Sequence, residues 1–279
     1  MSDTSWNAPA KVNLTLKVVG RRDDGFHELE SLMAPVNLFD KLHFQPAEEF
    51  SLHCEADGVP LDESNLVAKA VRVFEKHTSK QCRWAIALEK NIPHGAGLGG
   101  GSSDAATTLL ALNSLCKTNL PLEKLAELSA QIGSDIPFFI YQQTCQISGR
   151  GEIVKPIQVD QLAGTSVLLI KPSFGVSTPD AYKNCLFAEP LAGINYEPQR
   201  TSWGEVFNDL EMPVFQKHRF LAEVKHWLLE QPEVCAALMS GSGSTMMAFL
   251  QSPDQADAVS QRARAELDPT LWTFSAKIG

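Results

Sequence analysis

Five glycines fall within seven consecutive positions, Gly95, Gly97, Gly99, Gly100 and Gly101, and Ser102, Ser103 and Asp104 follow at once. Glycine lets the backbone take positive φ and come close to a ligand. Serine and aspartate favour helix N-caps, and the run behind them repeats Ala105, Leu109, Leu112 and Ala106, Leu110 at helical spacing. A glycine loop feeding a helix start presents unpaired N–H groups and partial positive charge. That setting suits an anion, most naturally a phosphate.

Gly95, Gly97 and Gly100 also satisfy G-x-G-x-x-G, which raises a dinucleotide site. Such a site needs a βαβ unit with an acid-tipped strand about twenty residues on. The stretch Pro121–Gly133 instead carries a helical stripe of Leu122, Leu125, Leu128 and Ile132. No Gly-Lys-Ser/Thr follows the glycines, so this is not a Walker A loop, and the protein-kinase motifs are missing too.

Other residues with chemical potential lie far from this loop in sequence. Lys11 and Asn13 share one face of an alternating segment, Ala8–Gly20, whose other face is Val12, Leu14, Leu16 and Val18. Taken alone, that polar face reads as solvated. Asp135 stands between a helix stop and Pro137, where most aspartates serve a turn or a cap. Phe26 and His27 follow a turn at Asp24-Gly25, and a second glycine turn, Ser240 to Ser244, separates two apolar runs.

The elements that must position these residues can be read coarsely. Strands are expected at 38–46, 50–56, 83–88 and 166–172, with two more around the Gly149–Glu152 turn and a last one from Trp272. The apolar run 134–140 reads as strand-like. Helices are expected at 61–78, capped by Asp62 or Ser64, through 203–211 and 220–231, and at 254–268. Gly133 is expected to close the helix before it, and Thr178-Pro179-Asp180 to open a short one. This mixture predicts an α+β chain in two domains, 1–160 and 161–279, divided where composition loosens near Asp160. A net charge of −9 argues against a nucleic-acid or anionic-membrane surface. No apolar run nears the roughly 20 residues of a membrane span. Six scattered cysteines without C-x-x-C predict reduced thiols in a cytoplasm and no structural zinc.

Three separated stretches, PAKVNLTLKVVGRRDDGFHEL, PHGAGLGGGSSDAA and MSGSGSTMMAF, occur in that order. Together they resemble the GHMP small-molecule kinase superfamily, and the resemblance runs from Ala8 to the end. It implies an N-terminal ATP-binding domain and a C-terminal ferredoxin-like substrate domain. The DGFHEL, IGSDIPFF and GRGE segments narrow it to kinases of the non-mevalonate isoprenoid route. Their substrate is a small cytidine diphosphate-linked polyol, phosphorylated at a tertiary hydroxyl.

The same resemblance implies roles for particular residues. Asp135 is the catalytic carboxylate and Lys11 lies against it, since phosphoryl transfer asks for positioning and charge stabilisation and a cation favours the carboxylate form. Pro93, His94, Gly95, Ala96, Gly97, Leu98, Gly99, Gly100, Gly101, Ser102 and Ser103 wrap the ATP phosphates. Asn65 and Lys90 lie near adenine, and Ser103 approaches Mg²⁺. Phe26 and Tyr182 sandwich cytosine while His27 reads its polar edge. Asn13 binds the sugar-alcohol side, and Thr178 buttresses the Lys11–Asp135 pair. Phe26 stands where relatives commonly carry tyrosine; stacking survives that change and a hydroxyl contact does not. The expected protein is a monomer or homodimer with ATP and Mg²⁺ as cofactors and no nucleic-acid or membrane partner.

Overall fold

The computed structural model describes residues 4–183 and 185–279. A long antiparallel hairpin, β1 (Thr4–Arg21) and β2 (His27–Pro46), is its spine. Its tip is closed by Gly25 at φ 86° and by the Asp24 carboxylate, which accepts the Phe26 N–H at 3.1 Å. β2 also pairs with β4 (Trp84–Glu89) and with β5 (Cys145–Gly149); β3 (Ser51–Cys54) and β6 (Ile153–Pro156) extend these two arms. On its other edge β1 takes a parallel partner from the second half of the chain, β9 (Glu205–Asn208), itself paired with β8 (Gln199–Arg200). The expected division at residue 160 thus separates most strands, but not this pair.

The second sheet has the order β10-β11-β7-β12, built from Val234–Met239, Met246–Leu250, Ser166–Lys171 and Trp272–Lys277. With helices α7 (Arg219–Leu229) and α8 (Ala256–Glu266) the chain order is βαββαβ, a ferredoxin-like unit with every strand pair antiparallel. Helices α1 (Leu66–Thr78), α2 (Gly100–Leu115), α3 (Leu122–Ser129) and α4 (Ile136–Tyr141) cover the first sheet, and two short helices, α5 (Thr178–Lys183) and α6 (Glu211–Lys217), complete the set. A third apolar cluster joins the two sheets, with Ala10, Val12 and Leu14 facing Val167, Leu169 and Met247. Among the described residues no helix is long and apolar enough to cross a membrane.

β1 is more enclosed than its alternation suggested. The ladder shifts register between Pro9 and Ala10, so Ala8 packs in the first-sheet core while Ala10, Val12 and Leu14 pack between the sheets. Lys11 and Asn13 are left on the opposite face, yet both are only 4% exposed. The solvated face expected for them is in fact the wall of a cavity.

Four local expectations change. Residues 136–141 form a helix, not a strand: six apolar residues carry no decisive period, Pro137 fits a first turn, and the side chains pack among the helices over the first sheet. Residues 205–208 form β9 rather than helix, because the open edge of β1 supplies a pairing partner that overrides local pattern. The cap of α1 is Asn65, whose carbonyl oxygen accepts the Val67 N–H at 2.8 Å; Asp62 instead binds Ser64 in the preceding turn. Finally, α3 ends at Ser129, and Gly133 lies beyond its cap in the turn leading to Asp135.

Candidate active site

The glycine loop leaves β4 and crosses the face of β1, where the Lys11 N–H donates to the Leu98 carbonyl at 3.0 Å. Gly95, Gly97 and Gly99 all have φ between 61° and 73°, the left-handed region that glycine tolerates. Gly99, not Ser102, Ser103 or Asp104, is the N-cap of α2, and no side chain caps that end. The first-turn N–H groups are therefore open to an anion. Ser102 lines the cavity beneath the loop, as do Pro93, His94, Ala96, Gly100 and Gly101. Ser103, expected to approach Mg²⁺, is fully buried; its hydroxyl has no hydrogen-bond partner and, unlike Ser102, it is not on the cavity wall.

The Ser240–Ser244 turn is clamped onto this loop. Ser240 Oγ donates to the Gly97 carbonyl at 3.1 Å, and the Thr245 N–H to the Ala96 carbonyl at 3.2 Å. A Cβ added to Gly97 would lie 2.2 Å from the Ser240 carbonyl oxygen. Asn208, at the end of β9, holds the turn from behind by donating to the Met239 and Gly241 carbonyls at 2.7 and 2.8 Å. Sequence reading missed Asn208; its one signal is a polar side chain two residues beyond Val206 in an alternating segment.

The cavity under the loop encloses about 400 Å³ and has Lys11, Asn13 and Asp135 on its wall. The Lys11 ammonium donates to Asn13 Oδ1 at 2.5 Å, Asn13 Nδ2 donates to Ser31 Oγ at 2.8 Å, and Ser31 passes the chain to the Thr15 carbonyl. Burial pulls the Lys11 pKa down, and the Asp135 charge opposes that shift. Lys11 thus senses Asp135 through its field, while its hydrogen bond goes to Asn13. Gly241 closes in so tightly that a Cβ there would sit 2.9 Å from Lys11 Nζ. Thr178 lines the same cavity; its hydroxyl is hydrogen-bonded with Ser242 Oγ at 2.9 Å.

A second cavity of about 700 Å³ adjoins the first, and Leu29, Asp135, Thr178 and Tyr182 belong to the walls of both. It collects Phe26 and His27 from the hairpin tip. Here the rings are already engaged. His27 stacks on Tyr182 with centroids 5.5 Å apart and planes at 24°, and the Arg150 guanidinium sits 4.7 Å above the Phe26 ring. Phe26, His27 and Tyr182 thus line one cavity, with their ring faces already in contact with protein groups. Burial, then the Arg21 charge, lowers the His27 pKa, which favours a neutral ring able both to donate and to accept.

The residues expected near adenine lie at the far end of the first cavity. Asn65 uses its amide on the Val67 N–H and the Pro60 carbonyl. Lys90 is ion-paired with Asp40 and, at 2.7 Å, with Asp104. Both side chains border the cavity with their main polar contacts already made within the protein. Sequence reading missed Asp40, although Leu38, Asp40 and Leu42 share one strand face and a carboxylate on an apolar face is a signal. Burial works against the Lys90 charge, but Asp104 and Asp40 together hold its pKa above the ordinary value. Burial pushes the Asp104 carboxyl up to about 7, Lys90 opposing and Asp40 adding to the rise.

A group with a raised folded-state pKa stabilises most below its unfolded value and loses that contribution as pH rises through the folded one. For Asp104 the loss spans roughly pH 4 to 7. Asp104→Asn is therefore expected to flatten the fall in stability over this range and to gain about 1–3 kcal/mol at pH 8. Urea midpoints of variant and parent at pH 5 and pH 8 check this; an unchanged difference between the two pH values contradicts it.

Magnesium has hard oxygen donors to meet on the cavity wall, the Asp135 carboxylate and the Ser102 hydroxyl. Among the described residues no group of three His, Cys, Asp or Glu forms a ready-made metal cage. That donor set fits an ion that keeps its waters and arrives with nucleotide phosphates, the usual habit of Mg²⁺.

Comparison with known proteins agrees with this architecture. The family model "GHMP kinases N terminal domain" matches residues 65–143, and "GHMP kinases C terminal" matches residues 192–268. A 4-diphosphocytidyl-2-C-methyl-D-erythritol kinase from Methylacidiphilum infernorum is 42% identical over 272 residues, 95% of this chain and 93% of that protein. One from Thermodesulfovibrio yellowstonii is 38% identical, over 88% of this chain and 90% of its own. The crystal structure of a 4-(cytidine 5'-diphospho)-2C-methyl-D-erythritol kinase superposes with TM-score 0.80 at 33% identity, covering 99% of each chain. With both cavities meeting at Asp135 and this degree of likeness along its length, the chain belongs to the GHMP kinases and, among them, to the 4-diphosphocytidyl-2-C-methyl-D-erythritol kinase family.

Proposed function

We propose that this protein transfers the γ-phosphoryl group of ATP to the 2-hydroxyl of 4-diphosphocytidyl-2-C-methyl-D-erythritol. The observation that carries this reading is the meeting of the two cavities. Asp135, Thr178 and Tyr182 line both the cavity under the glycine loop and the aromatic one, so donor and acceptor can face each other across Asp135. Relatives at 42% and 38% identity bearing this name support the choice of substrate.

In this mechanism the open N–H groups at the start of α2 and the loop between Pro93 and Ser102 hold the ATP phosphates. Asp135 takes the proton of the acceptor hydroxyl as its oxygen bonds to phosphorus and the bond to the ADP oxygen breaks. Lys11 stabilises charge on the transferring group; buried beside one neutral acceptor, Asn13, it has unmet demand for an anion. Asp135 and Ser102 offer the oxygens that would hold Mg²⁺, which would supply neutralisation of phosphate charge. Phe26 and Tyr182 seat the cytosine, and His27 offers the hydrogen bonding that stacking alone lacks. Asn13 faces the polyol.

Residues 1–160 supply the donor side and 161–279 the cover of the acceptor. The enzyme works as a monomer or homodimer in a cytoplasm, where its free thiols stay reduced, and acts on neither nucleic acid nor membrane. The test is transfer of labelled γ-phosphate from ATP, with magnesium, to the cytidine-linked polyol, beside mevalonate, homoserine and galactose as alternative acceptors. Transfer to the cytidine compound with protection by CMP is expected. No transfer, or preference for another alcohol, removes the proposal.

A further inference from the structure

The glycine loop is anchored at both ends by one buried carboxylate that the chemistry of transfer does not use. Asp40 is completely buried on β2. Its Oδ1 accepts the N–H groups of Asn91 and Ile92, where the chain leaves β4 for the loop, at 2.6 and 2.8 Å. Its Oδ2 binds the Lys90 ammonium, which crosses to Asp104 Oδ2 in α2, just past the first turn at which the loop ends. A Cβ added to Gly100 would lie 3.2 Å from Asp40 Oδ2, so the first residue of α2 also packs against this carboxylate. From this arrangement we infer that Asp40 is a positioning residue for phosphoryl transfer: through Lys90 it ties the entry of the phosphate loop to its exit and fixes the loop's span.

Charge argues for a mechanical role over an electrostatic one. A lysine meant to attract phosphate is best left without acids, yet Lys90 carries two carboxylates within hydrogen-bond reach. Likewise, the Asn91 and Ile92 N–H groups turn inward to Asp40 and away from any ligand. Burying two acids and one base is costly unless the geometry is closely satisfied. Asp40 meets that condition with donors to both oxygens, whereas Asp104 Oδ1 has no partner. Asp40 is thus the fixed point, and Lys90 and Asp104 transmit it.

This inference rests on the reading of the loop as the ATP seat, and the experiment separates the two. A non-hydrolysable ATP analogue and CMP are titrated separately into the full-length parent, Asp40→Asn, Lys90→Met and the double variant. Asparagine keeps an acceptor for the loop N–H groups but loses the charge that holds Lys90. Asp40→Asn is expected to weaken the ATP analogue about tenfold to a hundredfold while CMP affinity changes less than about twofold, a split that general destabilisation does not produce. The double variant is expected to bind the analogue no worse than the weaker single one, because both cut the same link. Lys90→Met, whose side chain borders the cavity, opens the clasp from its accessible end should Asp40→Asn fail to fold. Faster amide exchange at residues 91–99 in Lys90→Met then supports the inference, and unchanged exchange overturns it. Unchanged analogue affinity in Asp40→Asn, or additive losses in the double variant, also overturns it. Parent protein that binds CMP but no ATP analogue overturns instead the assignment of the loop.

Discussion

Asp135→Asn is expected to lower kcat by about a thousandfold while leaving the affinity for a non-hydrolysable ATP analogue within about threefold. The substitution keeps shape and volume and removes the carboxylate proposed to take the acceptor proton. Asp135 is exposed to the cavities, and helix α4 behind it buries its own apolar residues, so little stability rests on the carboxylate. The loss should therefore appear in turnover and not in the amount of folded protein. Two effects add in the same direction. An amide cannot accept the proton, and the field that opposes the lowering of the Lys11 pKa disappears. Single-turnover phosphoryl transfer, with analogue binding measured in parallel, reads both quantities. A kcat within tenfold of the parent would remove Asp135 from the chemistry and leave it as a wall of the cavities.

Gly97→Ala is the second large effect, and its cause is purely geometric. At φ 73° an alanine is strained, and its Cβ would lie 2.2 Å from the Ser240 carbonyl and about 3 Å from backbone atoms of Gly243. These are main-chain atoms clamped by Asn208 and by the Ser240 hydroxyl, so no side-chain rotation relieves the overlap. Strain and overlap together are expected to cost about 3 kcal/mol of stability and to weaken ATP-analogue binding at least about a hundredfold. Gly164→Ala is the informative comparison. Its φ of 81° imposes similar strain, but a Cβ there meets nothing within 4 Å, so about 1 kcal/mol is expected and no change in nucleotide binding. Equal effects at the two positions, from urea unfolding and analogue titration, would show that conformation alone matters and that the loop-to-turn contact does not.

The contrast between these positions bears on what a linear sequence reveals. The glycine loop, the second glycine turn and the first arm of the long hairpin were legible because each is written locally, in residue types with special φ or in alternation; the second arm was read only from residue 38, although β2 starts at His27. Contact between the two glycine segments joins positions 97 and 240, and nothing local encodes it. The burial of Lys11 and Asn13 was hidden for the same reason: alternation reports two unlike faces, and only the cavity behind β1 decides whether the polar one meets water. Helix α4 and strand β9 were misread because short apolar runs carry no decisive period and take the structure their neighbours offer. Ser102 and Ser103 differ by the 100° that one residue turns along a helix, and that phase is fixed by a cap at Gly99 which serines were expected to supply. His27 and Tyr182 were grouped only through the family resemblance; the structure brings both to one cavity and stacks them on each other, a contact no local pattern encodes.

The strand pair contributed by residues 199–208 has a consequence for how the chain is made. β1 precedes β9 by nearly two hundred residues, so the Thr15–Leu16 stretch of its outer edge waits for that strand. Until then that stretch of edge is open, and the turn that Asn208 secures has not yet been synthesised. The first sheet thus stays incomplete until residues 205–208 have been made. The face that carries Lys11 and Asp135 is completed later still, when residues 240–245 close onto the glycine loop.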